Sequence, residues 1–207
     1  MGFYNDKIVP RLVTCACGTK PILKQREKVV PQAQGNVLEI GMGAGHNLPY
    51  YDPQRVQSIV GIDPCQTSWR LAASRAAQVG VPLDFVEGSA EKMPLPAAQF
   101  DTVLMTYSLC TIPDAHAALA EIGRVLKPGG SLVFCEHGQA PDPGVASWQE
   151  RINPLWRRLL GGCNINRPIV EWIESAGFAV QQLDQMYLPG TPRIAAFNMW
   201  GSARHAQ

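Results

Sequence analysis

Short apolar runs alternate with amphipathic stretches through the first two thirds of this chain, and the alternation predicts strands separated by helices. Residues 4–14 and 21–30 read as two short helices, the second begun by Pro21 and stopped by Pro31. The apolar runs Val37–Ile40, Ser58–Ile62, Leu83–Val86, Asp101–Met105 and Ser131–Cys135 read as five strands. Between them Thr67–Val79, closed by Gly80, and Ala115–Leu126, ended by Lys127-Pro128-Gly129-Gly130, read as helices. Asn47 is placed to cap a further helix from Leu48, and Pro94 with Pro96 marks a loop.

Beyond residue 137 the pattern changes. Val145, Trp148, Ile152, Leu155, Trp156 and Leu159 recur at three- and four-residue steps and give one apolar helix face, with Pro154 placed to kink it. Tryptophan at this spacing reads as core. A second helix, Arg167–Ala176, has Asn166 as its cap and Gly177 as its stop. Phe178–Met186 and Ala195–Ser202 flank a Pro189-Gly190 turn and predict an antiparallel pair. The fold class is α/β: a seven-stranded, mostly parallel sheet with one antiparallel strand and helices on both faces. The whole chain reads as one domain, with residues 1–34 a helical cap, 35–137 the core and 138–207 an added helical segment and closing hairpin.

At 207 residues the chain is long enough for one sizeable core and short for two. A net charge of +1 supplies no field for nucleic acid or an anionic membrane. No apolar stretch approaches the roughly 20 residues needed to span a bilayer, and no export signal is read at the start. The six cysteines (15, 17, 65, 110, 135 and 163) contain no Cys-x-x-Cys pair or zinc spacing, so no metal is expected from them. Free thiols point to a reducing, cytoplasmic setting, and a monomer or weak dimer is expected. Arg151, Arg157 and Arg158 lie opposite the tryptophans of the 145–160 helix; a solvated face is the plain reading, and a peripheral membrane contact stays open.

The chemistry begins at Val37-Leu38-Glu39-Ile40-Gly41-Met42-Gly43-Ala44-Gly45, followed by a second strand ending in Asp63. Alternating glycines turn the backbone off a strand and let a ligand approach the main chain. Asp63, at the tip of the neighbouring strand, can accept hydrogen bonds from both hydroxyls of a ribose. A dinucleotide fingerprint would place a third glycine where His46 stands, and Glu39 would repel a pyrophosphate. S-adenosylmethionine carries an ammonium and a sulfonium and no phosphate, so it suits this acidic rim.

The segments VLEIGMGAG, GIDP, EGSAEKMPL, FDTVLMTYSLCTIPD and EIGRVLKPGGSLVFCEHG resemble the class I S-adenosylmethionine-dependent methyltransferases, over about residues 35–137. The further stretch CEHG…WQERINPLWRRLLGGCNINR resembles the branch containing the mammalian methyltransferase-like thiol S-methyltransferases and their bacterial relatives. The mammalian members begin with an apolar anchor that is not read here. The resemblance implies a Rossmann-like fold, S-adenosylmethionine as cofactor, and Glu39, Gly41, Gly43 and Gly45 along its methionine part. It puts Asp63 on the ribose and Pro64 beside the adenine. Ser89, Ala90 and Glu91 then fall where relatives hold the adenine amino group, with Ser89 in place of their aspartate. His46, Asn47, Thr106 and Tyr107 complete the cofactor set, and Tyr4 is expected to close over it as a lid or to form an apolar staple.

The acceptor side is expected where the fourth and fifth strands end. His137, following Glu136, is the candidate general base for a small, fairly apolar acceptor; the alternative is a histidine that only shapes the cleft. Glu136 could orient it. Cys110, Cys163 and Asn164 are candidate lining residues, each with a plain packing or loop role as the alternative. A thiol acceptor suits this weak acid–base equipment, with a phospholipid amine or a quinone or phenol hydroxyl next, and an NAD-type oxidoreductase disfavoured by His46 and Glu39.

Overall fold

The computed structural model describes residues 14–205. The predicted helix over residues 4–14 and the candidate Tyr4 fall almost wholly outside that span. Its helices are α1 (Lys20–Val29), α2 (Gln66–Ala76), α3 (Ala115–Val125), α4 (Pro143–Leu159), α5 (Ile169–Ser175) and α6 (Arg193–Ala196). Its strands are β1 (Gly35–Ile40), β2 (Val56–Asp63), β3 (Leu83–Glu87), β4 (Phe100–Thr106), β5 (Leu126–His137), β6 (Phe178–Tyr187) and β7 (Phe197–His205). They form one seven-stranded sheet in the order β3-β2-β1-β4-β5-β7-β6. Only β7 is reversed: it pairs antiparallel with β5 on one side and β6 on the other.

Successive residues of the central strands feed opposite faces. Leu38, Ile40, Val103, Met105, Leu132 and Phe134 face the side covered by α3 and α5, where Leu119, Ile122, Ile169 and Ile173 meet them. Val37, Leu104, Val133 and Cys135 face the other side, with Val29, Val30 and Ala72 from α1 and α2. This is why these strands are continuously apolar instead of alternating. The order reverses between β1 and β4, and at such a switch point the loops leaving the carboxyl ends diverge and open a crevice.

Five expectations need correction. The helix expected from Leu48 is a single 3-10 turn, Leu48–Tyr50, and Asn47 makes no side-chain cap there. Strand β5 starts at Leu126 and not at Ser131, although the preceding helix does end just before Lys127-Pro128-Gly129-Gly130. Helix α5 starts at Ile169, and Asn166, instead of capping it, donates to Glu150 Oε1 at 2.8 Å. Ala195 belongs to the short α6 and not to β7. In α4, which runs continuously through Pro154, Trp148, Leu155 and Leu159 are 57%, 63% and 49% exposed while Val145, Ile152 and Trp156 are partly buried, so only part of this face packs inward. Arg151 lies over the Trp148 ring at 5.5 Å. Among the described residues no helix is long and apolar enough to cross a membrane.

Phe134 is fully buried at the centre of β5. Phe134→Ala is expected to lower unfolding free energy by about 3–5 kcal/mol, read from urea denaturation; a loss below about 1 kcal/mol would remove it from the core.

Candidate active site

After β1 the chain turns through Gly41, Gly43 and Gly45, all with positive φ (66°, 52° and 69°). The three glycines have different jobs. A Cβ on Gly41 would lie 2.4 Å from Ser108 Oγ, and one on Gly45 would lie 2.8 Å from Leu48 Cδ1 and 2.9 Å from Ala72 Cβ. Those two permit packing of the loop against β4's exit and α2. A Cβ on Gly43 would meet nothing nearer than 3.8 Å, so its backbone faces open space. Asp63 borders that space, its Oδ2 accepting from Gly43 N at 2.9 Å and its Oδ1 from Cys65 N at 2.7 Å. Burial raises the Asp63 pKa, against the opposing pull of these two N–H donors. Pro64 is exposed just beyond.

Beneath the loop lies a buried polar hub. Glu39, 1% exposed, accepts from Asn47 Nδ2 at 2.9 Å on Oε1 and from Tyr51 OH at 2.7 Å on Oε2. Asn47 Nδ2 also reaches Thr106 Oγ1 at 2.9 Å. Arg26 Nη1 donates to Asn47 Oδ1 at 2.7 Å and to Thr106 Oγ1 at 2.6 Å, and the guanidinium lies 5.1 Å from the Tyr107 ring centroid. Burial pushes the Glu39 pKa up to about 7, despite the Tyr51 hydrogen bond and the Arg26 charge. Arg26 and Tyr51 were not read from the sequence. Arg26 carries no sequence signal of its own: only the structure places it with Gln25 and Val29 on the buried side of α1.

The other expected cofactor residues divide. His46 Nε2 sits 3.1 Å from Thr14 O, tying the loop to the N-terminal segment, and burial with Arg26 and Arg75 nearby lowers its pKa to about 4. His46 is therefore a neutral tether. Ser89 Oγ donates to Glu91 Oε2 at 2.9 Å and accepts from Glu91 N, while Glu91 Oε1 receives Asp114 N at 2.6 Å. Ser89 and Glu91 thus brace the start of α3, and buried Ala90 packs in the core. Tyr107 has a positive φ of 53°, rare for a residue with a side chain, as β4 ends. Its hydroxyl donates to Asn198 Oδ1 at 2.7 Å.

On the acceptor side three elements converge. Cys110 follows β4, His137 ends β5 and Cys163 follows α4, and a ligand atom from each lies within 4.8 Å of the others. Cys163 Sγ is 3.2 Å from His137 Nε2. Its pKa is pushed down, first by hydrogen bonding with Cys110 and then by His137, while Cys110 is pushed up by the same contact and by burial. Burial opposes charge on His137, but Cys163 and Glu136 outweigh it and raise its pKa. Glu136 does not hydrogen-bond His137 among the bonds seen. Its Oε1 accepts from Ser108 N at 2.7 Å and Leu109 N at 3.1 Å, fixing the turn that carries Cys110. Asn164 joins the two cysteine loops, donating from N at 2.9 Å and from Nδ2 at 3.0 Å to Cys110 O.

The glycine loop open at Gly43, the acid at the tip of β2 and the strand-order reversal between β1 and β4 fit a class I S-adenosylmethionine-dependent methyltransferase, and the chain belongs to that family. The methyltransferase domain family matches residues 38–134. The rat protein thiol S-methyltransferase TMT1B is 32% identical over 166 residues, covering 76% of this chain and 68% of the relative. Phthiotriol/phenolphthiotriol dimycocerosates methyltransferase 1 of Mycobacterium ulcerans is 31% identical over 160 residues, covering 77% of this chain and 58% of that protein. In fold, the chain is similar to the crystal structure of a SAM-dependent methyltransferase from Aquifex aeolicus, with TM-score 0.67, 19% identity, and coverage of 97% and 100%.

The hub gives a pH prediction. Below about 4.5 Glu39 is protonated whether the chain is folded or not; between about 4.5 and about 7 only the unfolded chain ionises it. Stability of the ligand-free parent, measured against Glu39→Gln by urea unfolding, should therefore fall as pH rises through that window and level off above it. The slope is at most about 1.4 kcal/mol per pH unit. Parallel curves for parent and variant would mean that Glu39 is not buried as described.

Proposed function

We propose that this enzyme methylates the sulfur of a small, fairly apolar thiol, with S-adenosylmethionine as donor. The observation that carries the reading is the Cys163–His137 contact of 3.2 Å beside Cys110, which gives the acceptor side two sulfurs and an imidazole. Glu136, the adjacent carboxylate, is fully buried and offers an ammonium no exposed partner. Thiols need little acid–base help, since their pKa lies near ~8.5 and a neighbouring positive charge increases the thiolate fraction. The similarity to a protein named as a thiol S-methyltransferase supports the same acceptor. A quinone or phenol hydroxyl is the second reading; the mycobacterial relative, named as a phthiotriol/phenolphthiotriol dimycocerosates methyltransferase, shows that the acceptor differs among the chain's relatives.

The donor's fit rests on Gly43, whose exposed backbone is a cradle that a side chain would fill, with Asp63 at its edge. When bound, S-adenosylmethionine supplies a methyl group on a sulfonium, transferred by in-line displacement. The chain's part is to hold the reactants in a row. Asp63 offers its remaining lone pairs to the ribose hydroxyls. The Glu39–Asn47–Thr106–Arg26 hub keeps the loop in the shape that leaves Gly43 open. His137, held against Cys163, brings positive charge beside the acceptor and so favours its ionised form. The cysteines seen are all free, which suits a reducing compartment.

Turnover to adenosylhomocysteine with a panel of thiols, phenols and amines tests the acceptor directly; thiols should dominate, and a preference for amines would end the reading. Gly43→Val should fold, as circular dichroism reads, yet lose adenosylmethionine binding in calorimetry. Asp63→Ala should weaken it by roughly tenfold or more, the loss of a charge-assisted hydrogen bond worth about 1.5–3 kcal/mol. Affinity within about twofold of the parent, ~0.4 kcal/mol, would displace Asp63 from the cradle.

His137→Ala should slow high-pKa thiols by about 10²-fold or more and acidic aromatic thiols little, with donor binding unchanged. A uniform loss across thiols of differing pKa would instead assign His137 to shaping the cleft.

A further inference from the structure

Cys110, His137 and Cys163 come from three separate elements, and no spacing along the chain announces them. Their sulfur, nitrogen and sulfur atoms nevertheless lie within 4.8 Å of one another, with the Cys163 Sγ–His137 Nε2 edge at 3.2 Å. A tetrahedral zinc with Zn–S near ~2.3 Å and Zn–N near ~2.0–2.1 Å holds its donors roughly 3.5–3.8 Å apart, inside that range. Two thiolates and an imidazole are soft and borderline donors. They select zinc-like cations over magnesium or calcium, which take oxygen.

The cluster is built and held. Asn164 donates twice to Cys110 O and, through Nδ2, to Gly162 O at 2.8 Å, so the loops bearing the two sulfurs cannot move independently. Asn153 fastens the second loop from α4, donating to Asn164 Oδ1 at 3.1 Å and accepting from Ile165 N at 3.0 Å. Arg167 clamps the first loop through Leu109 O and, at 2.6 Å, Ile112 O. Such outer contacts fix ligand geometry in metal sites. Glu136 adds an independent observation: it is 0% exposed, and its Oε2 has no hydrogen-bond partner. A buried, half-satisfied carboxylate beside the cluster is a counter-charge suited to a cation. Cys110 is buried, whereas His137 and Cys163 are partly exposed, so the site can be reached.

We propose that Cys110 Sγ, Cys163 Sγ and His137 Nε2 hold a thiophilic divalent cation of the zinc class, leaving the fourth position for an acceptor thiol. The fourth-position clause rests on the thiol reading above; the metal site does not. A thiol entering there gives its proton to solvent and stays bound as thiolate. Its lone pair forms the new S–C bond as the donor's C–S bond breaks, that pair leaving with the departing sulfur. The neutral thioether formed is a poorer ligand and is released.

The test uses the full chain, kept reduced, stripped with a chelator and titrated with cobalt(II). One equivalent should bring thiolate-to-cobalt charge transfer and strong tetrahedral visible bands, which zinc(II) then removes. Cys163→Ser should weaken cobalt binding by roughly a hundredfold or more. The parent's own spectrum decides even where a variant fails to fold: weak, octahedral-type absorption with no charge transfer overturns the site. A Cys110–Cys163 disulfide that persists in reductant, without bound metal, overturns it too. Thiol turnover unaffected by stripping refutes the metal's role and leaves the thiol reading standing. One bound zinc with phenols turned over and thiols ignored refutes the acceptor and leaves the metal site.

Discussion

Glu39 is a carboxylate at the end of a strand buried on both faces, and the carboxyl edge of the sheet is organised around the cost of keeping it there. Isolated, an ionised carboxylate in such a place would be strongly disfavoured. Here Asn47 and Tyr51 donate to its two oxygens, and Arg26 brings a positive charge to the far side of Asn47. The donors come from two elements: Arg26 from α1, Asn47 and Tyr51 from the loop after β1. Thr106, the last residue of β4, accepts from both Arg26 and Asn47. The network thereby stitches α1, β1, the glycine loop and β4 together at the place where strand order reverses. Removing any member leaves the others buried and unpaired, which makes the loop's shape a property of the whole hub.

That dependence explains which features could be read from the residues. The central strands were legible because burial on both faces makes them uniformly apolar, and the glycine loop because its spacing is itself the structural requirement. Helix α3 was legible because its apolar spacing and its stop are local; Asp114, which caps it with Oδ1 accepting from Ala117 N at 3.0 Å, is local too. Asn47 misled for the opposite reason: a residue able to cap a helix is spent on tertiary bonds to Glu39 and Thr106, and the expected helix shrinks to one turn. Arg26 was passed over because an arginine on a short amphipathic helix ordinarily faces water. Lys127-Pro128-Gly129-Gly130 ends α3 as it reads, but the strand is already entered at Leu126 and bulges over these four residues before pairing resumes at Ser131, with Lys127 held by Asp101 at 2.8 Å.

The same logic separates residues sharing one motif. Gly41, Gly43 and Gly45 are indistinguishable as letters, yet two of them exist so that Ser108, Leu48 and Ala72 can approach, and only Gly43 is open to a ligand. Asp63 is likewise both a wall of that opening and the group that holds Gly43 N in place. Ser89 and Glu91, assigned to the adenine by resemblance, spend their polar atoms on each other and on Asp114 N. A family motif thus marks a region faithfully while leaving open which of its atoms are free.

The acceptor side was the least legible part, and the reason is topological. Parallel strands place their carboxyl ends side by side, so residues far apart in the chain meet there without any local pattern. Cys110, His137 and Cys163 were each readable as candidates near the strand ends, but nothing in the sequence showed that they touch one another. Only the pairing of β4 with β5 and the Asn164 bonds to Cys110 O bring the three together. Once together, they change what His137 can do. With Cys163 Sγ at 3.2 Å on its Nε2, it is no longer a free base awaiting a proton but one member of a sulfur–imidazole group. The chemistry of this edge therefore belongs to the cluster.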